Sequence, residues 1–172
     1  MRDVNSIVTH MKEAHAAFLG ACGSIPASQW TRPPTHGGWS AGEVVAHLIM
    51  VETRVLQAMK EALKKPPEPV PVWKKFHLPI SMTAMRGIKV KSPIPLNPAL
   101  VRTQKQMLDD FSELRKRAVA LLMASNQQDL GAYRAPHPFM GSLNFYDWFK
   151  MLAYHERRHT KQIQEITASF RE

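Results

Sequence analysis

Cysteine is almost missing from this chain: Cys22 is the only one in 172 residues. An internal disulfide is therefore excluded, and a single thiol fits a reducing compartment such as the cytoplasm. Long apolar runs are also missing. None approaches the ~20 residues that cross a bilayer, so no membrane association is expected. The opening Met1-Arg2-Asp3-Val4-Asn5 leads straight into amphipathic sequence, without the basic region and apolar block of a secretory signal. Acidic residues are scarce, 14 against 23 lysines and arginines, for a formal net charge of +9. Such a balance can mark a nucleic-acid binder. Here the basic residues are dispersed. The densest groups are Lys64-Lys65, Lys74-Lys75 and Arg115-Lys116-Arg117, and none is interleaved with aromatics as a base-stacking platform requires. No nucleic-acid partner is expected. The groups read as a solvated basic surface whose field favours small anionic ligands. Alternating strand patterns, internal repeats and low-complexity tracts are not found either.

What is present is amphipathic helix. Hydrophobic residues make up 44% and charged residues 22%, the balance of a globular protein. Residues 1–172 read as one domain. Residues 3 to 22 form a first helix with Ile7, Met11, His15, Phe18 and Cys22 on one stripe, and Gly20 and Gly23 mark its end. A connector follows, with a short helical turn expected from Ala27 to Trp30. Ser40-Ala41-Gly42-Glu43 is a capping box that opens a second helix, and Trp39 and Val44 are placed for a hydrophobic staple. Its stripe runs Val44, Leu48, Val51, Val55, Met59 and Leu63. Asn97 and Pro98 are the expected cap and first position of a third helix. Leu100, Gln104, Met107, Phe111, Leu114, Ala118 and Leu121 would carry its face to about Ser125. Asn144 and Asp147 cap a fourth helix reaching Phe170. Between the second and third helices lie residues 65–97, rich in proline yet carrying Trp73, Phe76, Ile80, Met82, Met85 and Ile88. That is an ordered crossover, with a helical turn expected around Ser81 to Arg86 and a role as lid or wall. The fold class is all-α: a four-helix bundle with a long Pro-rich crossover between helices 2 and 3.

The fourth helix carries the chemistry. Trp148, Leu152, His155, His159, Ile163 and Ile166 fall at steps of 4, 3, 4, 4 and 3, so two histidines share the apolar face one turn apart. Buried imidazoles need partners for their nitrogens, and a metal ion is one such partner. His155-Glu156-Arg157-Arg158-His159 also matches the H-E-x-x-H of zinc peptidases. That chemistry needs a downstream third ligand and a strand edge for the peptide. No histidine follows His159, and Glu165 points away from the pair. The better third ligand is His47, which borders the second helix's stripe just inside a firmly capped start. His15 lies on the first helix's stripe with no neighbour to pair with, as a core-edge histidine does. His77 in the crossover reads as surface, with a substrate-facing role as the alternative. Three neutral imidazoles leave an open position and suit zinc, nickel, iron or copper.

Gly38-Trp39-Ser40-Ala41-Gly42-Glu43-Val44-Val45-Ala46-His47-Leu48, His137-Pro138-Phe139-Met140-Gly141-Ser142-Leu143, Trp148 and Tyr154-His155-Glu156-Arg157-Arg158-His159-Thr160-Lys161-Gln162-Ile163 together resemble the DinB-like superfamily, over nearly the whole chain. Met140 before Gly141 is the one departure. The resemblance implies a four-helix bundle holding a divalent metal through His47, His155 and His159, with zinc or nickel expected and iron or manganese as further candidates. It also implies a metal-dependent enzyme acting on a small-molecule substrate, either a hydrolase or a transferase that uses a low-molecular-weight thiol. In S-transfer, a thiolate would attack an electrophile held by the crossover and the 135–143 loop. A non-catalytic metal-binding or stress-response bundle is the alternative. No catalytic base is assigned. Glu156 and Glu52 are candidates, but Glu156 stands about 100° around the helix from His155 and reads as solvated. Arg157 and Arg158 read as a wet face that could also meet an acidic cofactor. Bundles of this family are often homodimers, for which Trp73, Phe76 or Phe170 are candidate contacts.

Overall fold

The computed structural model describes residues 3–35, 37–67, 79–85, 95–125 and 127–170. Four helices dominate: α1 (Val4–Gly23), α2 (Ala41–Ala62), α3 (Gln104–Ala124) and α4 (Phe145–Ser169). Each starts where a side chain satisfies free backbone N–H groups. The Asp3 carboxylate accepts from the Ser6 amide at 3.1 Å. The Ser40 hydroxyl accepts from the Glu43 amide, and the Glu43 carboxylate accepts from the Ser40 amide at 2.8 Å, which is the expected capping box. The Asn144 carbonyl accepts from the Asp147 amide at 3.0 Å. Short 3-10 turns occur at Ala27–Gln29 and Ile80–Ala84, close to the two helical turns expected there.

The third helix begins later than its sequence suggested. Asn97 does cap and Pro98 does start a turn, but the turn is only Pro98–Leu100. The chain is extended at Val101, and α3 starts at Gln104 under a Thr103 cap. Trp30 accounts for the break. Its indole N–H donates to the Arg102 carbonyl at 3.0 Å, and its own carbonyl accepts from the Gly42 amide at 3.0 Å. One residue, through its side chain and its backbone carbonyl, thus ties the first connector to the starts of α2 and α3. Gly42 has no side chain because there is no room for one: a Cβ there would lie 2.6 Å from Val101 Cγ1 and 2.9 Å from Trp30 Nε1.

A small hairpin was not foreseen. β1 (Arg134–His137) pairs antiparallel with β2 (Gly141–Asn144). Four residues are too few for alternation to register, and Pro136 within β1 argues against a strand. The strand is tolerated because this sheet has only two strands, so Pro136 sits at an edge. Gly141 takes φ +83° where the turn enters β2. The Trp148 indole N–H donates to the Ala135 carbonyl at 3.2 Å and fastens the hairpin to α4.

The core forms two apolar clusters along the bundle. The first gathers Ile7, Met11 and Ala14 of α1, Leu56 and Met59 of α2, Ala118 and Leu122 of α3, and Trp148, Phe149, Met151, Leu152 and Ala153 of α4. The second gathers Phe18 and Cys22, Val44, Val45, Ala46 and Leu48, Met107 and Phe111, and Ile163 and Ile166. Between the two clusters every helix places a polar residue at a buried or partly buried position: His15, Glu52, Arg115 and Glu156. Among the described residues no helix is long and apolar enough to cross a membrane.

Candidate metal centre

His47 comes from α2 and His155 and His159 from α4. The capping box fixes where α2 begins, and His47 lies about two turns in, within the buried run Val44 to Leu48. On α4 the two histidines stack one turn apart. The Nε2 of His155 lies 3.4 Å from that of His47 and 3.1 Å from that of His159. One ligand-capable nitrogen from each of the three falls within 4.8 Å of the others, a grouping that fits a metal ion.

The hydrogen bonding leaves lone pairs at the centre. His159 Nδ1 donates to the Gln162 side-chain carbonyl at 2.8 Å, so the neutral ring presents an unprotonated Nε2. His47 Nδ1 is buried without a hydrogen-bond partner among the described residues. Its ring packs against Trp39 with centroids 5.0 Å apart. Burial pushes the pKa of His47 down to about 4. His155 is held well below its ordinary value by burial, then by its neighbours His159 and His47. These rings are neutral at pH 7, the form that binds metal.

His137 of β1 is half-buried, with its ring 5.2 Å from Trp148. Its Nδ1 accepts from the Phe139 amide at 3.2 Å. It stands close enough to be among the groups that depress His155. Cys22 is buried, and burial pushes its thiol well up, so it is no nucleophile.

Three expectations need correction. Glu156 is not solvated: it is fully buried, accepts from His15 Nδ1 at 2.8 Å, and accepts from Arg115 Nη2 at 2.8 Å. Its side chain turns inward between α1 and α3, while the histidines on either side turn towards α2. Arg115 is not part of a basic surface. It is 3% exposed, paired with Glu156 and, at 2.9 Å, with Glu52. Lys116 and Arg117 beside it are exposed. Glu52 takes the stripe position between Leu48 and Leu56, where Val51 and Val55 only flank the core. Burial pushes Glu52 up to about 7, opposed by Arg115 and aided by Glu156.

The remaining residues fall as follows. His15 stays outside the triad, with Nε2 3.1 Å from the Ser112 hydroxyl. Arg157 is half exposed and reaches Glu13 at 3.4 Å, and Arg158 is partly buried. His77, Trp73 and Phe76 lie outside the described residues. Phe170 packs against its own chain's second cluster, with the Arg32 guanidinium 5.5 Å from its ring centroid. Gln162 is absent from the sequence expectations, although residues three apart on a helix are neighbours and a ligating histidine needs an acceptor for its other ring nitrogen.

A family model for the DinB superfamily matches residues 10–163. The chain belongs to the DinB superfamily. The chain is also similar to an uncharacterized protein, YuaE of Bacillus subtilis (strain 168). The two are 27% identical over 134 residues, covering 77% of this chain and 80% of that one. A similar fold appears in YfiT from Bacillus subtilis, described as "a probable metal-dependent hydrolase with an unusual four-helix bundle topology". The two structures superpose with a TM-score of 0.69 at 18% identity, over 99% of this chain and 89% of the other. At that identity the likeness establishes the shared bundle, while the histidine geometry is this DinB chain's own.

Proposed function

We propose that His47, His155 and His159 hold a divalent metal ion and that the protein is a metal-dependent enzyme acting on a small molecule. The observation that carries this reading is the pair of Nε2–Nε2 separations, 3.4 and 3.1 Å. Nitrogens bound at about 2.0–2.1 Å around a tetrahedral zinc stand about 3.3 Å apart, and around an octahedral ion about 3 Å apart. Imidazoles brought this close without a shared cation gain little, since His155 Nε2 has at most one proton for two neighbours. Zinc and nickel both suit the donor set.

A metal bound by three neutral histidines supplies Lewis acidity and lowers the pKa of a water or thiol at its open position. The chain's residues do the rest. Gln162 holds the His159 ring with its lone pair inward. Trp39 covers the His47 ring with apolar surface, which strengthens electrostatic contacts there. His137 stands on the hairpin side with its Nε2–H free of its Nδ1 bond, a donor for a substrate oxygen. YfiT's description as a metal-dependent hydrolase supports hydrolysis. The family resemblance supports transfer of a low-molecular-weight thiol. Glu156 and Glu52 are committed to Arg115, so neither serves as the general base.

The test is elemental analysis of protein purified without an affinity tag. It is followed by assays of an activated ester and of electrophile conjugation with a panel of small thiols. Stoichiometric metal and turnover lost on chelation are expected. Metal without turnover on either panel would reduce the protein to a metal-binding module. A chain that takes up no divalent metal, or a His159→Ala variant that takes up as much as the parent, refutes the centre itself.

A further inference from the structure

The two apolar clusters are separated by a buried polar layer drawn from all four helices. Arg115 of α3 is its hub. A single nitrogen, Nη2, meets Glu52 of α2 at 2.9 Å and Glu156 of α4 at 2.8 Å. Glu156 in turn accepts from His15 of α1. The Ser112 hydroxyl donates to the Leu108 carbonyl at 2.8 Å, so it accepts from His15 Nε2. Glu52, Arg115 and Glu156 are 2%, 3% and 0% exposed.

Stability does not explain this layer. Taking two carboxylates and a guanidinium out of water is costly, and well-packed apolar residues commonly do as well or better. Nor is it fully satisfied: Arg115 Nε and Nη1 and Glu52 Oε1 lack partners among the described residues. What such a layer provides is register, because directional bonds fix how helices stand relative to one another where apolar contacts tolerate sliding. The metal centre depends on that register. His47 belongs to α2, five residues before Glu52, and His155 and His159 flank Glu156 on α4. A slip of α2 against α4 by one residue moves a nitrogen about 1.5 Å along the axis, enough to spoil coordination.

We propose that Arg115 is a positioning residue for the metal centre: by joining Glu52 to Glu156 it sets His47 against His155 and His159. This rests on the proposed metal site. The decisive comparison is the parent chain against the triple variant Glu52→Leu/Arg115→Met/Glu156→Leu, which leaves no stranded charge. Zinc affinity is measured by calorimetry, site geometry by the visible absorption of bound cobalt(II), and folding of the metal-free chain by urea denaturation. The triple variant should unfold at the same or higher urea concentration than the parent. Its zinc affinity should fall roughly 10–100-fold, the range for removing outer support from a metal site, with an altered cobalt spectrum. Unchanged affinity and spectrum in a folded triple variant overturn the proposal. Arg115→Lys decides the matter if the triple variant does not fold. Lysine keeps the charge but ends one atom short, so it cannot reach both carboxylates in the same way, and affinity should again fall. Parental affinity in Arg115→Lys overturns the proposal too. If the parent itself binds neither zinc nor cobalt, the metal-centre reading fails first, and this inference with it.

Discussion

The metal-free protein should lose stability in mild acid, and His47 should be a main cause. Burial holds its pKa at about 4, whereas in the unfolded chain it titrates near ~6.5. Between those values the unfolded chain takes up a proton that the folded chain refuses. The contribution is therefore present above about pH 6.5 and is lost as pH falls towards about 4. Each pH unit of that window is worth about 1.4 kcal/mol, so the whole is about 3 kcal/mol. Between about pH 7 and about pH 5 the loss from His47 alone comes to about 2 kcal/mol, or on the order of 4–8 °C in Tm for a chain of this size. His155 is shifted in the same direction by burial and by His159 and His47, so it steepens the slope. The assay is urea denaturation of chelator-treated protein, followed by circular dichroism across this pH range, beside a His47→Gln variant. The variant's dependence should be shallower by about 2 kcal/mol over the same interval. Parallel curves would refute the reasoning, because His47 would then bind protons equally in both states.

Three further outcomes follow from particular contacts. Gln162→Leu should remove the acceptor of His159 Nδ1 and weaken zinc binding roughly 10–100-fold in calorimetry, with Gln162→Glu restoring it. Glu156→Leu alone, unlike the triple replacement, leaves Arg115 buried with one carboxylate fewer. It should cost about 3–5 kcal/mol in urea denaturation. Gly42→Ala should cost about 1–3 kcal/mol by overpacking, because its Cβ would press on Val101 and the Trp30 indole; Val101→Ala in the same chain should recover part of that loss in the same measurement.

Local signals carried much of the fold. The Ser40–Glu43 box and the Asn144 cap mark their helices because caps act on the nearest backbone groups. The helical steps from Trp148 to Ile166 put His155 and His159 on one face because helix geometry repeats regardless of context. The Asn97–Pro98 start was read correctly as a cap and misread as the beginning of α3. What interrupts it is Trp30, some seventy residues away in sequence. The hairpin was missed because its stability comes from docking on Trp148 and not from its own four-residue strands.

Glu156, Arg115 and Glu52 mark the boundary between the two kinds of information. Each sits at an apolar-stripe position, between Leu152 and Ile163, Phe111 and Ala118, and Leu48 and Leu56. The sequence stripes pass beside them, through His155, Leu114, Val51 and Val55, and a lone buried charge is prohibitively costly, so Glu156 and Arg115 read as surface and Glu52 only as a candidate base. The sequence by itself determined the four helices, the inward face of each and the candidate ligands His47, His155 and His159. Only the tertiary structure decided that three charged residues from three helices meet, and that the three Nε2 atoms converge. Both depend on how helices distant in sequence stand against one another, and a buried charge becomes tolerable only once its partner from another helix is in place.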